Sequence, residues 1–466
     1  MDTTAANISY DVIIRILDWL RDDYLSLYHC SLASRTFSDA AATLLYRKVI
    51  YSPSQSTAHR VLDLRQRDDF LTGFFASARL SHNATRVRRL EISGYLSARP
   101  PPLNKFPAQL SAAVEYWPNL QTVVFAPALY HDSTFTDALP LLLRLSALRE
   151  LTVNGACTND ALAPVLVQVR GLESLAIQSP SRAVLQLLPE WLAALRPTLR
   201  KLHFSGSCGS ITPGVLRSFV PHLQSVSSFA LGLSYSLTDD DVFNFWTSLP
   251  HLTSLEFRYY LQLRPSIIPR LPNLRHLTVH YTHVTTRTDA AHLYKWIRRV
   301  ITHSPLASLR LVCESEVYGP APSFDPLLEH LSARHAATLR RLDIKDCLVG
   351  NAALREFCRT CEALEELSVG MSLDTLHDFP RYASELRRLH TVAFCVRNTK
   401  RRVARSLHLA KSFIHPQSTI RRLTVDGTRY EGSWVSTKDA GSVDFQVEEV
   451  DSRPHLYPWE LGVVDK

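Results

Sequence analysis

The sequence predicts an α/β repeat protein: a solenoid with a curved parallel sheet of short strands and outer helices, preceded by a small all-α head. Three observations predict it. The first is a phrase, legible at Leu274-Arg275-His276-Leu277-Thr278-Val279: an apolar residue, two variable ones, Leu, one variable residue and an apolar β-former. The second is its recurrence from Val87, Leu120, Leu148, Leu172, Leu199, Val226, Leu252, Leu274, Leu306, Leu339, Leu364, Leu389 and Ile420. Twelve intervals over 333 residues average about 28, a period that belongs to stacked strand-and-helix units. The third is the different texture of residues 8 to 49, where apolar residues recur at helical spacing.

Each phrase reads as a strand with alternate side chains turned inward, and the stretch between phrases returns the chain, usually as a helix. One strand and one helix cannot bury their own apolar face, whereas stacked copies share a core. The strands therefore run parallel. The chain resembles the leucine-rich-repeat family in its longer, helix-containing form. That family places Asn or Cys eight residues after the first Leu; here Cys347 fills the position, and Cys157 and Cys208 stand one place late.

In the head, Ile8, Val12, Ile16 and Leu20, flanked by Ile13 and Leu17, predict an amphipathic helix. Leu25, Leu27, Tyr28, Leu32 and Phe37 continue in a second, and Leu44, Leu45 and Val49 close the block. So short a unit carries more apolar side chains than it can bury alone, which points to a partner or to the first repeat. Ile8-Ser9-Tyr10-Asp11-Val12-Ile13-Ile14-Arg15-Ile16-Leu17-Asp18-Trp19-Leu20 and Ser26-Leu27-Tyr28-His29-Cys30-Ser31-Leu32-Ala33-Ser34-Arg35-Thr36-Phe37 resemble an F-box, and Leu45-Tyr46-Arg47-Lys48-Val49 is similar to its fungal version. Ser9, Ser26 and Phe37 stand where the family usually has Pro, Asp and Trp. The resemblance implies docking on a Skp-family adaptor and, through it, a cullin ligase. The adaptor contacts implied are Ile8, Val12, Ile13, Ile16, Leu17, Leu20, Leu27, Cys30, Leu32 and Phe37.

The domains expected are a helical head (1–50), a linker and amino-terminal cap (51–86), the solenoid (87–426) and a carboxy-terminal cap and tail (427–466). Pro118, Pro250 and Pro272 each lie two residues before a phrase, where proline ends the preceding helix. Thr238-Asp239-Asp240-Asp241 reads as a helix start, with acids at the positive end of the helix dipole. Arg99-Pro100-Pro101-Pro102 reads as a stiff loop, with polyproline recognition as the other reading. Val443, Phe445 and Val447 alternate as a terminal strand would.

At 45% hydrophobic and 21% charged, the 466 residues suit a folded protein too long for one compact core. No secretory signal and no membrane span is legible, and eight dispersed cysteines suit a reducing compartment. The expected location is cytoplasmic and/or nuclear. The net charge of +8 equals the eight Lys and Arg between Arg397 and Arg422, a stretch without acids. There Val403, Leu407, Ala410 and Ile414 share one helical face. The run reads as the solvated side of a repeat helix, or as a contact for nucleic acid, an anionic lipid or the acidic tail. Protein partners are expected, rather than nucleic acid or membrane.

No phosphate loop, dinucleotide fingerprint, zinc-protease motif or nucleophile elbow occurs, and neither an enzyme nor a cofactor is expected. Cys358 and Cys361 have metal or redox spacing, but they share a helical face with Leu354, Phe357 and Leu364, so both thiols should face the core. His276, His280 and His283 read as surface histidines, with no other ligand specified. The third, fifth and seventh places of each phrase point away from the core. Those places give Glu256 and Arg258, then His276, Thr278 and His280, then Arg310, then Arg341, Asp343 and Lys345, a strip mainly basic in its middle; Arg258, His276, His280, Arg310, Arg341 and Lys345 would suit an acidic or phosphorylated target, and a solvated polar sheet with no particular ligand is the other reading. The function expected is a substrate-recognition subunit of an SCF-type ubiquitin ligase. The alternative is a non-ligase leucine-rich-repeat scaffold or enzyme regulator whose first helices only cap the solenoid.

Overall fold

The computed structural model describes residues 8–21, 23–53, 73, 75–100, 104–260, 266–282, 284–315, 322–397, 406–436 and 443–450. The expectations for Pro101 and Pro102, His283, Val403 and the basic residues 400, 401, 402 and 405 fall outside them. The described chain forms two compact units that meet in sequence at Ser210 and Ile211. That division lies inside the repeats and coincides with none of the boundaries expected at 50, 86 and 426.

The first unit opens with three helices, α1 (Tyr10–Asp18), α2 (Tyr24–Ser31) and α3 (Arg35–Leu45). Asp23 caps α2 by accepting the Ser26 amide at 3.0 Å, and Ser34 caps α3 by accepting the Phe37 amide at 3.3 Å. Such caps satisfy amides that have no partner inside the helix. Ile13, Leu17, Leu27, Ala40, Ala41 and Leu44 form the head's own core, with Ile14, Leu20, Cys30, Phe37 and Leu45 packed at its edge.

Six parallel strands follow in sequence order: β1 (Lys48–Tyr51), β2 (Arg89–Tyr95), β3 (Thr122–Leu129), β4 (Glu150–Val153), β5 (Ser174–Gln178) and β6 (Lys201–Ser207). The sheet thus begins before the first recognised phrase, with Lys48 level with Arg89. Alternate residues point inward and are buried, as at Leu90 and Ile92, Val123 and Phe125, and Leu202 and Phe204. Helices α4 (Phe106–Val114) and α5 (Arg182–Leu195) return the chain between strands.

The second unit repeats the plan with α6 (Pro213–Phe219), β7 (Ser228–Leu233), α7 (Asp239–Thr247), β8 (Ser254–Arg258), β9 (His276–Tyr281), α8 (Arg287–Ile301), β10 (Ser308–Cys313), α9 (Asp325–His335), β11 (Arg341–Val349), α10 (Asn351–Thr360), β12 (Glu366–Met371), α11 (Leu373–Ala383), β13 (Thr391–Val396), α12 (Leu407–Phe413) and β14 (Arg422–Val425). Strands β7 to β14 are parallel neighbours. The hairpin β15 (Thr428–Ser436) and β16 (Val443–Val450) then joins antiparallel. Helix α7 carries a capping box between Thr238 and Asp241. The basic-run helix is shorter than its spacing suggests: Ala410 and Ile414 are buried, but Leu407 is exposed and belongs to no buried face.

The phrase has a backbone cause. Within each unit, the amides of its second and third residues both donate to the carbonyl of the second residue one repeat earlier. Thus Arg88 and Arg89 share the Arg47 carbonyl, Thr253 and Ser254 that of Ser227, and Arg340 and Arg341 that of Ala307. Arginine at the second place caps the turn before it: the Arg88 guanidinium donates to the Thr85 carbonyl at 2.9 Å, and Arg149 to Ser146 at 2.8 Å. The residue before the phrase has its own part in the turn. Thr198 and Thr338 donate their hydroxyls to the Leu172 and Leu306 carbonyls at 2.8 Å, and Asn119 and Asn273 act likewise on Thr85 and Pro250. These bonds tie each turn to the next repeat and satisfy turn carbonyls, among them the buried Leu172 and Leu306.

The core of the second unit centres on aromatic rings. Phe257 stacks on Trp296 and meets Trp246 edge-on, with centroids 5.3 Å and 5.1 Å apart. The Trp296 indole donates to the buried Asp239 carboxylate at 2.7 Å, so the first residue of α7 is tied to the middle of α8.

Candidate functional site

Among the described residues, two surfaces are candidates for a partner. In the head, the helical period divides α1 between an inside and an outside. Ile13 and Leu17 are 3% and 1% exposed, whereas Ile8, Val12 and Ile16 are 54%, 46% and 51% exposed and Trp19 is 91% exposed. Leu25, Tyr28 and Leu32 add exposed apolar side chains from α2 and its end. Isolated apolar residues are ordinary on a surface, but with Tyr10 these make eight within 25 residues of a small head, which is not ordinary.

This sorts the ten residues predicted for the adaptor. Ile8, Val12, Ile16 and Leu32 face outward; Leu20, Cys30 and Phe37 are half-buried at the edge of the head's core. Ile13, Leu17 and Leu27 are corrected to core residues, because their side chains fill the space between α1, α2 and α3. Trp19 also faces outward, its signal being the helical period counted from Ile16, and so do Leu25 and Tyr28, which the apolar spacing of the second helix already marks.

The second surface is the open face of the sheet in the second unit. Register aligns Ser254, His276, Ser308 and Arg341 across it in one row and Glu256, Thr278, Arg310 and Asp343 in the next. Arg258 and His280 stand opposite each other in a third. The six predicted target-binding residues do share this face, but the expectation of a mainly basic strip is corrected, because neighbouring strands supply acids to most of them. Arg258 pairs with Glu314, and His280 reaches Glu256 at 2.8 Å and Glu314 at 3.4 Å. Arg310 pairs with Asp343 at 3.3 Å and Arg341 with Glu366 at 3.4 Å.

Electrostatics follow from that lattice. Burial, then the charges of Arg341 and Arg275, hold the His276 imidazole below its ordinary pKa, so it is neutral at pH 7. Burial pushes the Asp343 carboxyl up, against the opposing charges of Arg310 and Lys345. Lys345 is exposed where β11 bulges between Ile344 and Leu348. Gly370 makes the bulge possible: a Cβ there would lie 2.6 Å from the Cys347 carbonyl oxygen and 2.8 Å from that of Lys345. Asp346, carried out by the bulge, accepts from Arg397 at 3.2 Å.

Cys358 and Cys361 are both buried, and burial pushes their thiols up, Cys361 to about 11. Neither is poised as a nucleophile or ligand at neutral pH. Among the described residues, no group of three or more His, Cys, Asp or Glu is placed to hold a metal, and no helix is long and apolar enough to cross a membrane.

No protein family's sequence pattern matches the chain, and no curated protein matches it. Among solved structures, it is similar to a chain from the crystal structure of the Rad7 and Elc1 complex in yeast, at 12% identity over 91% of this chain and 98% of that one, with a TM-score of 0.42. It is also similar to a chain of the TLR13–ssRNA13 complex, at 13% identity over 73% of this chain and 42% of that one, with a TM-score of 0.35. Neither superposition bears on function. The repeat fold stands on the strand order and register given above.

Proposed function

We propose that the chain is a non-catalytic substrate receptor. Its head docks on a Skp-family adaptor and so on a cullin ubiquitin ligase, while the open face of its repeats holds a target protein. The observation that carries this reading is the outward row of Ile8, Val12, Ile16 and Trp19, along α1 and at its two ends, on a head whose own core is already filled. A pure cap would turn that row inward against the repeats. The F-box resemblance of the same residues supplies the adaptor's identity. Full burial of a large apolar side chain is worth about 1.5–3 kcal/mol, so covering this row favours docking, while the affinity also depends on the costs of association.

Such a receptor works by tethering. Holding a target lysine beside a charged conjugating enzyme raises its effective concentration, and no acid or base from this chain is required. The paired charges of the open face favour a target of mixed charge, because a purely acidic peptide would have to displace Glu256, Glu314, Asp343 and Glu366 from their partners. Size-exclusion co-elution with purified Skp-family adaptor tests the docking. The full chain should co-elute, and Ile16→Asp combined with Trp19→Asp should abolish co-elution while leaving the thermal transition in place. Both side chains are exposed, so neither substitution touches the core. Co-elution of the double variant at wild-type level sinks the proposal.

A further inference from the structure

The sheet of the second unit ends on β16, and that edge lacks the usual protection. Natural edge strands are kept short, broken by Pro or a bulge, or marked with Lys, so that they do not recruit another strand. Strand β1, the edge strand of the first unit, is four residues long and carries Lys48. Strand β16 is eight residues long, has no Pro and no Lys, and keeps unbroken register with β15 from Val443 opposite Ser436 to Val450 opposite Arg429. Half of the backbone groups of an edge strand point away from its one neighbour. Among the described residues, none of those on β16 bonds to another backbone group, and the Phe445 amide donates to the neighbouring Asp444 carboxylate at 2.9 Å.

The side chains select what such an edge accepts. Asp444, Gln446 and Glu448 share one face of β16, and Val443, Phe445 and Val447 share the other. On the first face Glu448 stands opposite Glu431, whose charge Arg422 and Arg429 already meet. Among the described residues no Lys or Arg pairs with Asp444, Glu448 or Glu449, and all three are exposed. On the second face Phe445 is half-buried and meets Trp434 edge-on, with centroids 5.1 Å apart, while Trp434 and Val443 are exposed. A second copy would bring the same three acids to the contact, whereas a basic strand would cancel them.

We propose that the free edge of β16 takes an extended basic segment of another protein by strand addition, backbone to backbone. Asp444 and Glu448 lie four residues apart, with Phe445 and Val447 between them on the opposite face. The segment that fits carries Lys or Arg at its first and fifth places and apolar residues at its second and fourth, a pattern that reads the same in either direction. Ladder bonds supply the affinity, and the two ion pairs supply the selection. The apolar places cover Phe445 and Val447. None of this involves the head, so the site stands whether or not the head docks on an adaptor.

Fluorescence anisotropy of a labelled Thr-Lys-Val-Thr-Val-Lys-Thr peptide, titrated with the full chain, tests this. The expected result is saturable one-to-one binding below about 1 mM, weakening as salt rises. Asp444→Lys together with Glu448→Lys should weaken it by about tenfold or more and should transfer binding to Thr-Glu-Val-Thr-Val-Glu-Thr. Both side chains are exposed, so the circular-dichroism melt of this variant should be unchanged. Strand addition uses only alternate amides of the peptide, so of two peptides N-methylated at alternate positions one should lose binding and the other keep it. Three results overturn the proposal: no saturable binding, binding indifferent to the charge reversal, or both methylated peptides binding as tightly as the parent. A full chain that sediments as a dimer which the peptide splits overturns it too, because a second copy is then the natural occupant of the edge.

Discussion

The outward side of α1 and the open face of the second unit's sheet are both left uncovered by the chain, yet they are finished in opposite ways. On the sheet, most of the charges meet one of opposite sign on another strand: Arg310 meets Asp343, Arg341 meets Glu366, and His280 lies between Glu256 and Glu314. Along α1 and at its ends, Ile8, Val12, Ile16 and Trp19 have no comparable remedy, because only another apolar surface removes them from water. A polar surface can complete itself within one chain; an apolar one calls for a second. The head is thus the stronger pointer to an obligatory partner, and the sheet to a selective one.

The largest contrast lies within α1 itself. Leu17→Ala should destabilise the head by about 2–5 kcal/mol, the range for a buried leucine that leaves a cavity. Ile16→Ala, one residue away and 51% exposed, should shift stability by less than about 0.5 kcal/mol. Denaturant melts of the two variants measure the difference, and equal losses would mean that both side chains are buried.

A smaller effect belongs to the sheet. Arg310→Ala removes a half-exposed ion pair with Asp343 and should cost about 0.2–1 kcal/mol, shrinking as salt rises. A cost above about 2 kcal/mol in the same melts would show that the pair is part of the core rather than of a solvated lattice.

The smallest effect is a titration. NMR of the His276 ring should give a midpoint below 6.5, and Arg341→Ala should move it up part of the way, because burial remains the larger cause. The sign for stability follows. The folded pKa is depressed, so His276 contributes stability that is complete above the unfolded pKa near 6.5 and is lost as pH falls through the folded value. A midpoint at or above 6.5 contradicts the description of that row.

Much of this was legible before any coordinates. Leu277 and Val279, Leu309 and Leu311, and Leu367 and Val369 stand at the fourth and sixth places of their phrases, and all are buried on strands in matching register. What escaped had physical reasons. Strand β1 begins its phrase at Tyr46, so a search for aliphatic starts passes over it. Glu314 lies one residue beyond its strand, and Glu366 one strand away from Arg341. Only register shows that they neutralise the basic strip. In the head, the resemblance marks Ile13 and Ile16 alike, whereas the packing of three helices around Leu27 and Leu44 decides which of them faces out.

Hydrogen exchange of the full chain with and without Skp-family adaptor tests the central claim most directly. The account predicts new protection confined to α1, α2 and the residue pair Leu32 and Ala33, with exchange on the sheet of the second unit unchanged. Protection on that sheet with none on α1, or no protection anywhere at saturating adaptor, would contradict it.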